Sequence, residues 1–221
     1  MIRRTWCSVV AVMLLPFASA LASDFVHPRL KEVGIRSVIL LPAGVEESKT
    51  GVKGTASMAK EANDAAAYMA ASVSTALSNR GFAVDNPFAE EAIKGNDELR
   101  YALADVQKRF DEVAAQLYKK RKDVRKGRFT LGDAVAVLNT KGTADVLVIV
   151  RAIGHKETKG KAFMTGGLLG MALSSKSTFQ SKVALVDAKN GDILFLGDYM
   201  SRGLPTYETY EKSFKNIPIA K

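Results

Sequence analysis

Side chains that do chemistry most readily near neutral pH are scarce in this chain of 221 residues, which holds two histidines, His27 and His155, and one cysteine, Cys7. That supply argues against a disulfide framework, a thiolate zinc site or histidine-rich acid/base catalysis. His155 stands between Gly154 and Lys156 without an HxxxH or HExxH partner. An exposed histidine at a strand end is therefore expected, rather than a metal ligand or general base. His27 precedes Pro28 near the expected mature N-terminus, where chains are often poorly ordered, a poor place for a rigid site. No GxSxG elbow occurs. The pairs Glu46-Glu47, Glu90-Glu91 and Asp111-Glu112 are adjacent and point apart on a helix, so solvated faces are expected. Asp85, Asp145 and Asp187 sit near expected strand ends and could converge in space, although aspartates there commonly satisfy turn backbones. No catalytic residue, cofactor or metal is assigned.

Two segments are more unusual. From Ala162 to Leu173 no charged residue occurs, and Gly166, Gly167 and Gly170 interrupt the apolar side chains. The run is too short for a membrane-spanning helix and does not alternate as a barrel strand would. Gly166 and Gly170 have the GxxxG spacing that lets helices approach closely. Either Phe163, Met164, Gly166, Gly167, Leu168, Leu169, Gly170 and Met171 contact a membrane or a neighbouring subunit, or the segment is a flap folded over its own sheet. The second segment carries Lys119, Lys120, Arg121, Lys122, Arg125, Lys126 and Arg128 against Asp123 alone. Cations at a helix C-terminus complement its dipole, but seven exceed that need. Docking on anionic lipid or acidic cell-wall polymer is the functional reading. A nucleic-acid partner is not expected, since the run holds no aromatic side chain and the chain carries an export signal.

That signal is the first 22 residues. Arg3 and Arg4 precede the apolar stretch from Val9 to Ala18, and Ala20-Leu21-Ala22 supplies the small residues read before Ser23. Pro16 and the short apolar run count against a retained anchor. Cys7 would leave with the leader, and Ser23 stands where lipidation would need a cysteine. Losing Arg3 and Arg4 lowers the formal charge from +9 to +7. With 47% hydrophobic and 25% charged residues, the rest is expected to fold as an ordinary globular chain.

The elements that would position these groups follow from periodicity. A strand is expected between Glu32 and Pro42, then a long exposed loop over 43–56, then an alanine-rich helix from Ser57 to Asn79 that Gly81 stops. Phe82 to Asp85 reads as a short strand. Leu99, Leu103, Val106, Phe110, Val113 and Leu117 recur at spacings of four and three, an amphipathic helix facing the core, with a coiled-coil seam as the alternative. Thr130-Leu131-Gly132-Asp133 has capping-box spacing ahead of a short helix. Val146 to Val150 reads as a central strand. Phe179 to Asp187 and Asp192 to Met200 read as a hairpin joined through Asn190-Gly191, and Tyr207, Tyr210, Phe214 and Ile217 as one face of a last helix. The expected fold is α/β: a single mixed sheet of about five strands with a C-terminal antiparallel hairpin, flanked by helices. It would occupy residues 23–221 as one domain, with an apolar Gly-rich insertion at 161–176.

Four stretches in this order resemble a known family: Ser37-Val38-Ile39-Leu40-Leu41-Pro42; Gly81-Phe82-Ala83-Val84-Asp85; Ala144-Asp145-Val146-Leu147-Val148; and Val183-Ala184-Leu185-Val186-Asp187 followed by Asn190-Gly191-Asp192-Ile193-Leu194. The chain resembles the periplasmic α/β domains of curli-secretion-channel subunits (CsgG-like), penicillin-binding-protein activator lipoproteins and the N-terminal domain of TolB. The resemblance implies that residues 161–176 occupy the place of a membrane hairpin. It carries over no site residue. The expected protein is a non-enzymatic envelope accessory or assembly factor, periplasmic or secreted, peripheral to the outer membrane and not lipidated. Its partners would be envelope proteins or further copies of itself. A ring-forming channel subunit inserting residues 162–173 and a hydrolase with an unrecognised site are the alternatives.

Overall fold

The computed structural model describes residues 24–88, 93–117, 129–162, 164 and 177–218. Its centre is the apolar run that begins strand β6 (Val146–Glu157). Val146, Leu147, Val148, Ile149 and Val150 are all buried, because helices cover both faces of the sheet at this level. β7 (Thr178–Asp187) pairs antiparallel with β6, and β8 (Ile193–Arg202) antiparallel with β7. On the other flank β2 (Ser37–Leu40) pairs parallel with β6 at Val146–Val148 and with β5 (Ala83–Asp85). β1 (Phe25–Val26) closes the far side at Leu196 and Phe195 of β8.

Among the described residues the sheet has eight strands rather than about five. The extra ones come from residues with little hydrophobic pattern. After Leu40 the chain stays extended and returns to β6 as β3 (Gly44–Gly51), parallel to Arg151–Glu157. It then turns back as β4 (Gly54–Ser57), antiparallel to β3. This stretch was expected to be a loop. Its strand character comes from the pairing offered by the long second half of β6, an override of local propensity by tertiary context.

Two apolar layers sandwich the proximal half of the sheet. On one face lie α1 (Ala59–Asn79) and α4 (Tyr207–Phe214), with Met69, Val73, Leu77, Tyr210 and Phe214 buried. Small alanines on α1 let its backbone approach the sheet, and the helix stops at Gly81, whose φ of 89° suits a residue without Cβ. On the other face lie α2 (Asp97–Leu117) and α3 (Ala134–Leu138). Asn96 caps α2 by accepting the Leu99 N–H at 3.1 Å. The expected stripe is the core-facing one: Val106 and Phe110 are fully buried, Leu103 is buried, and Leu99 and Val113 pack against its margin.

Local details depart from expectation. Thr130 does not cap α3. Its hydroxyl donates to the Asn190 carbonyl at 2.8 Å and accepts the Gly132 N–H, and Asp133 takes the N-cap position without a side-chain bond. In the β7–β8 loop only Gly191 has positive φ, so Asn190 does not form the two-residue turn expected of Asn-Gly. His27 is buried, its ring accepting the Arg29 N–H at the start of the 3-10 turn Pro28–Lys31, so this end of the chain is fixed.

Candidate association surface

Among the described residues, the helices that cover β6, β7 and β8 proximally leave part of their distal halves exposed. At Arg151 the burial changes from continuous to alternating: Ala152 and Gly154 stay buried, while Ile153 and His155 are exposed. The strand registers turn this alternation into a grid on the face that α2 and α3 cover proximally. One row holds Gly44, Arg151, Lys182 and Asp198; the next Glu46, Ile153, Gln180 and Met200; the third Ser48, His155, Thr178 and Arg202. Strand partners project to the same side, so these side chains share one face. Ile153 is 60% exposed and Met200 65%, two apolar side chains flanking Gln180 in the same row.

The end of α2 forms one wall of this face. Asp111 grips Arg151 with two bonds, from Nε at 2.9 Å and from Nη2 at 2.6 Å, a fork-to-carboxylate geometry. Gly44 makes room for this arrangement, since a Cβ there would overlap the Arg151 guanidinium. Below lies a shallow cleft of about 280 Å³ between Ala114 and Ala115 of α2 and Ile153, Gln180 and Lys182 of the sheet. Gln180 donates to both Asp198 carboxylate oxygens, at 3.4 and 3.2 Å. Mixed charges cross-linked over a flat sheet suit contact with another polar surface more than enclosure of a small molecule.

On the opposite face Glu47 is buried and accepts the Ser177 hydroxyl at 2.5 Å, tying the residue before β7 to β3. This pairing separates it from its neighbour Glu46, which is exposed on the open face. Asp111, expected on a solvated face, is exposed and also holds Arg151.

Of the three strand-end aspartates, Asp187 bonds the backbone of its own turn, while Asp145 and Asp85 hold groups far along the chain. Asp145 accepts the Arg36 and Ser37 N–H groups, Asp187 accepts the Lys189 N–H, and Asp85 receives the Lys141 ammonium at 2.8 Å. Asp187 and Asp192 also share the Arg29 guanidinium, at 3.1 and 2.5 Å. His155 lies within β6 rather than past its end, and its Nδ1 is 3.2 Å from the Ser48 hydroxyl on β3. Both are on the open face, a hydrogen-bonded pair in a shallow setting.

Of the apolar candidates, Met164 alone is described; it is helical and 73% exposed, two residues after the buried Ala162. Phe163, Gly166, Gly167, Leu168, Leu169, Gly170 and Met171 lie outside the described residues, as do Lys119, Lys120, Arg121, Lys122, Arg125, Lys126 and Arg128. On the described side, α2 runs to Leu117, β6 to Glu157, and β7 begins at Thr178. Among the described residues no helix is long and apolar enough to cross a membrane.

No protein-family model matches the chain. No curated protein matches it either. Among solved structures, the crystal structure of lipoprotein GNA1162 from Neisseria meningitidis is similar over 75% of this chain and 79% of that one, at 15% identity and a TM-score of 0.34. The PelC dodecamer from Paraburkholderia phytofirmans is similar over 90% of this chain and 98% of that one, at 10% identity and a TM-score of 0.41.

Proposed function

We propose that this protein is a non-enzymatic, exported accessory or assembly protein of the cell envelope, working at the outer membrane by contact with other proteins or with copies of itself. The observation that carries the reading is the open distal face, where Ile153 and Met200 stand exposed in one row of a four-stranded surface. Water-facing sheets usually present polar side chains, and apolar ones framed by charges mark contact surfaces. At strand spacings of about 4.8 Å and about 6.8 Å between same-face residues, the grid covers on the order of 300 Å². A standard interface buries about 800 Å² per partner, so the face supplies part of a contact and its neighbours the rest. The basic run Lys119–Arg128, which lies outside the described residues, would add attraction to an anionic surface.

The test is to replace Ile153 and Met200 together by glutamate in the full chain and cross-link the protein in intact cells. Both side chains are exposed, so the fold should survive, as circular dichroism would verify. Cross-linked species should fall at least tenfold. Undiminished cross-linking by a folded variant would remove the face from consideration. Recovery of the protein from the cytosol with its leader intact would end the envelope assignment.

A further inference from the structure

The distal sheet also has edges, and they differ in how they are guarded. β5 ends in Asp85, which holds Lys141, and Pro87 follows two residues later. β8 carries β1 at Phe195 and Leu196, and the charged side chains of Asp198 and Arg202 lie farther along it. Charges, prolines and covering segments are the devices that keep sheet edges from pairing with other chains. β4 has none of them within the strand. Its four residues, Gly54, Thr55, Ala56 and Ser57, are uncharged and all exposed. It is an edge of the distal sheet, because β3 lies between it and β6 and pairs with both.

The ladder shows which groups this edge offers. The Met58 N–H donates to the Glu47 carbonyl at 2.9 Å, and Ser48, Lys49, Thr50 and Gly51 face Ser57, Ala56, Thr55 and Gly54 in register. Bonded and non-bonded pairs alternate along an antiparallel ladder, so Gly54, Ala56 and Met58 bond inward to β3. Thr55 and Ser57 turn their N–H and C=O groups away from it.

We propose that β4 is a self-association strand, pairing antiparallel with β4 of a second copy about a two-fold axis at Ala56. This rests on the reading of the protein as one that works by contact, and names the partner. In that register Thr55 of each copy exchanges both backbone bonds with Ser57 of the other, four bonds in all, and Ala56 faces its own counterpart. Identical uncharged strands put no like charges opposite each other within the pair. A two-fold contact is the commonest symmetry of homo-oligomers. The pairing joins two distal sheets into one, which sets the two open faces side by side. Four residues per copy bury far less than a stable dimer needs, and Lys53 and Lys60 flank the strand at its ends, so the contact is weak and reversible. A covalent trap therefore suits it better than a mass measured at high dilution.

Ala56 and its counterpart would form a non-bonded antiparallel pair, with Cα atoms about 4.5 Å apart, within disulfide reach. In a full chain carrying Cys7→Ser, mild oxidation at moderate salt should convert Ala56→Cys to a covalent dimer at least tenfold faster than Thr55→Cys or Ser57→Cys. Those two thiols lie diagonally from their own copies, too far to link. Adding Thr55→Pro to Ala56→Cys should abolish the trap while leaving thermal unfolding close to wild type, because the Thr55 N–H takes no part in the β3 ladder. Equal rates at the three positions, or a trap indifferent to Thr55→Pro, would overturn the proposal. If the chain then still sediments as an oligomer that Ile153→Glu with Met200→Glu disperses, the contact reading stands and only the β4 assignment falls. A rapid Ala56→Cys trap together with face variants that change nothing would mean the reverse.

Discussion

Asp111 of α2 and Arg151 of β6 are joined by two hydrogen bonds at the point where the sheet passes from helix-covered to open. The pair is half exposed, with 23% of the Arg151 side chain and 47% of the Asp111 side chain accessible, so its contribution is modest. It also fixes where the guanidinium lies, flat against β3 over Gly44. Asp111→Ala should cost about 0.5–1 kcal/mol in urea unfolding. Gly44→Ala should cost a similar amount, because its Cβ takes the place of the guanidinium and breaks the same pair. The double variant should then cost little more than either alone, a coupling visible in a double-mutant cycle. Full additivity would mean that the glycine and the ion pair are independent.

Phe110 lies on the same helix one residue before Asp111, about 100° around its axis, and is fully buried in the cluster that holds Val106, Leu131, Val135 and Leu138. Phe110→Ala leaves a large cavity between α2, α3 and the sheet, and should lower the unfolding free energy by about 3–5 kcal/mol. Tyr101, 67% exposed on the same helix, should tolerate alanine with a change within about 0.5 kcal/mol. Comparable losses at both positions would argue against α2 packing by its apolar stripe.

These two neighbours show what a sequence makes legible. Phe110 belongs to a stripe whose spacing follows the helix period, and burial selects for that period, so the proximal core can be read from residue types. Asp111 can be read only as a charge beside Glu112, because its partner lies 40 positions away and enters through the register of β6. The open face was hidden for the same reason. Exposed Ile153 and His155 do alternate with buried Ala152 and Gly154, but the buried positions are small, so the pattern reads as a strand's end. β3 and β4 lack hydrophobic alternation altogether, and their pairing depends on the length of β6. Gly51 and Gly54 flank Val52-Lys53 at the turn, a weaker hairpin signal than Asn-Gly. Even His27, seemingly on a loose end, is held because β1 and the Arg29 bridge to Asp187 and Asp192 fasten that segment to β8 and its loop.

The same fastening buries a carboxyl, and this makes stability depend on pH. Asp24 precedes β1, and its Oδ1 is buried without a hydrogen-bond partner among the described residues. Burial raises its pKa above the ordinary value of 3.8, with the Ser213 hydroxyl opposing the shift. The Tyr199 phenol in the same cluster is pushed well above its usual range by burial, and the Tyr210 phenol up to about 12. A carboxyl whose pKa is raised on folding binds more protons in the native state than in the unfolded one. Its contribution is therefore fully present below the unfolded pKa and is lost as pH rises through the folded one. Asp24→Asn keeps the shape and removes the titration. The variant should gain melting temperature relative to wild type as pH rises from about 3 through the raised pKa, and hold a constant advantage above it. The two phenols ionise far above this range. Thermal unfolding of both proteins across that range gives the answer: parallel curves would show that Asp24 is solvated in the folded state, and a variant that loses ground with rising pH would show that its charge is stabilised there.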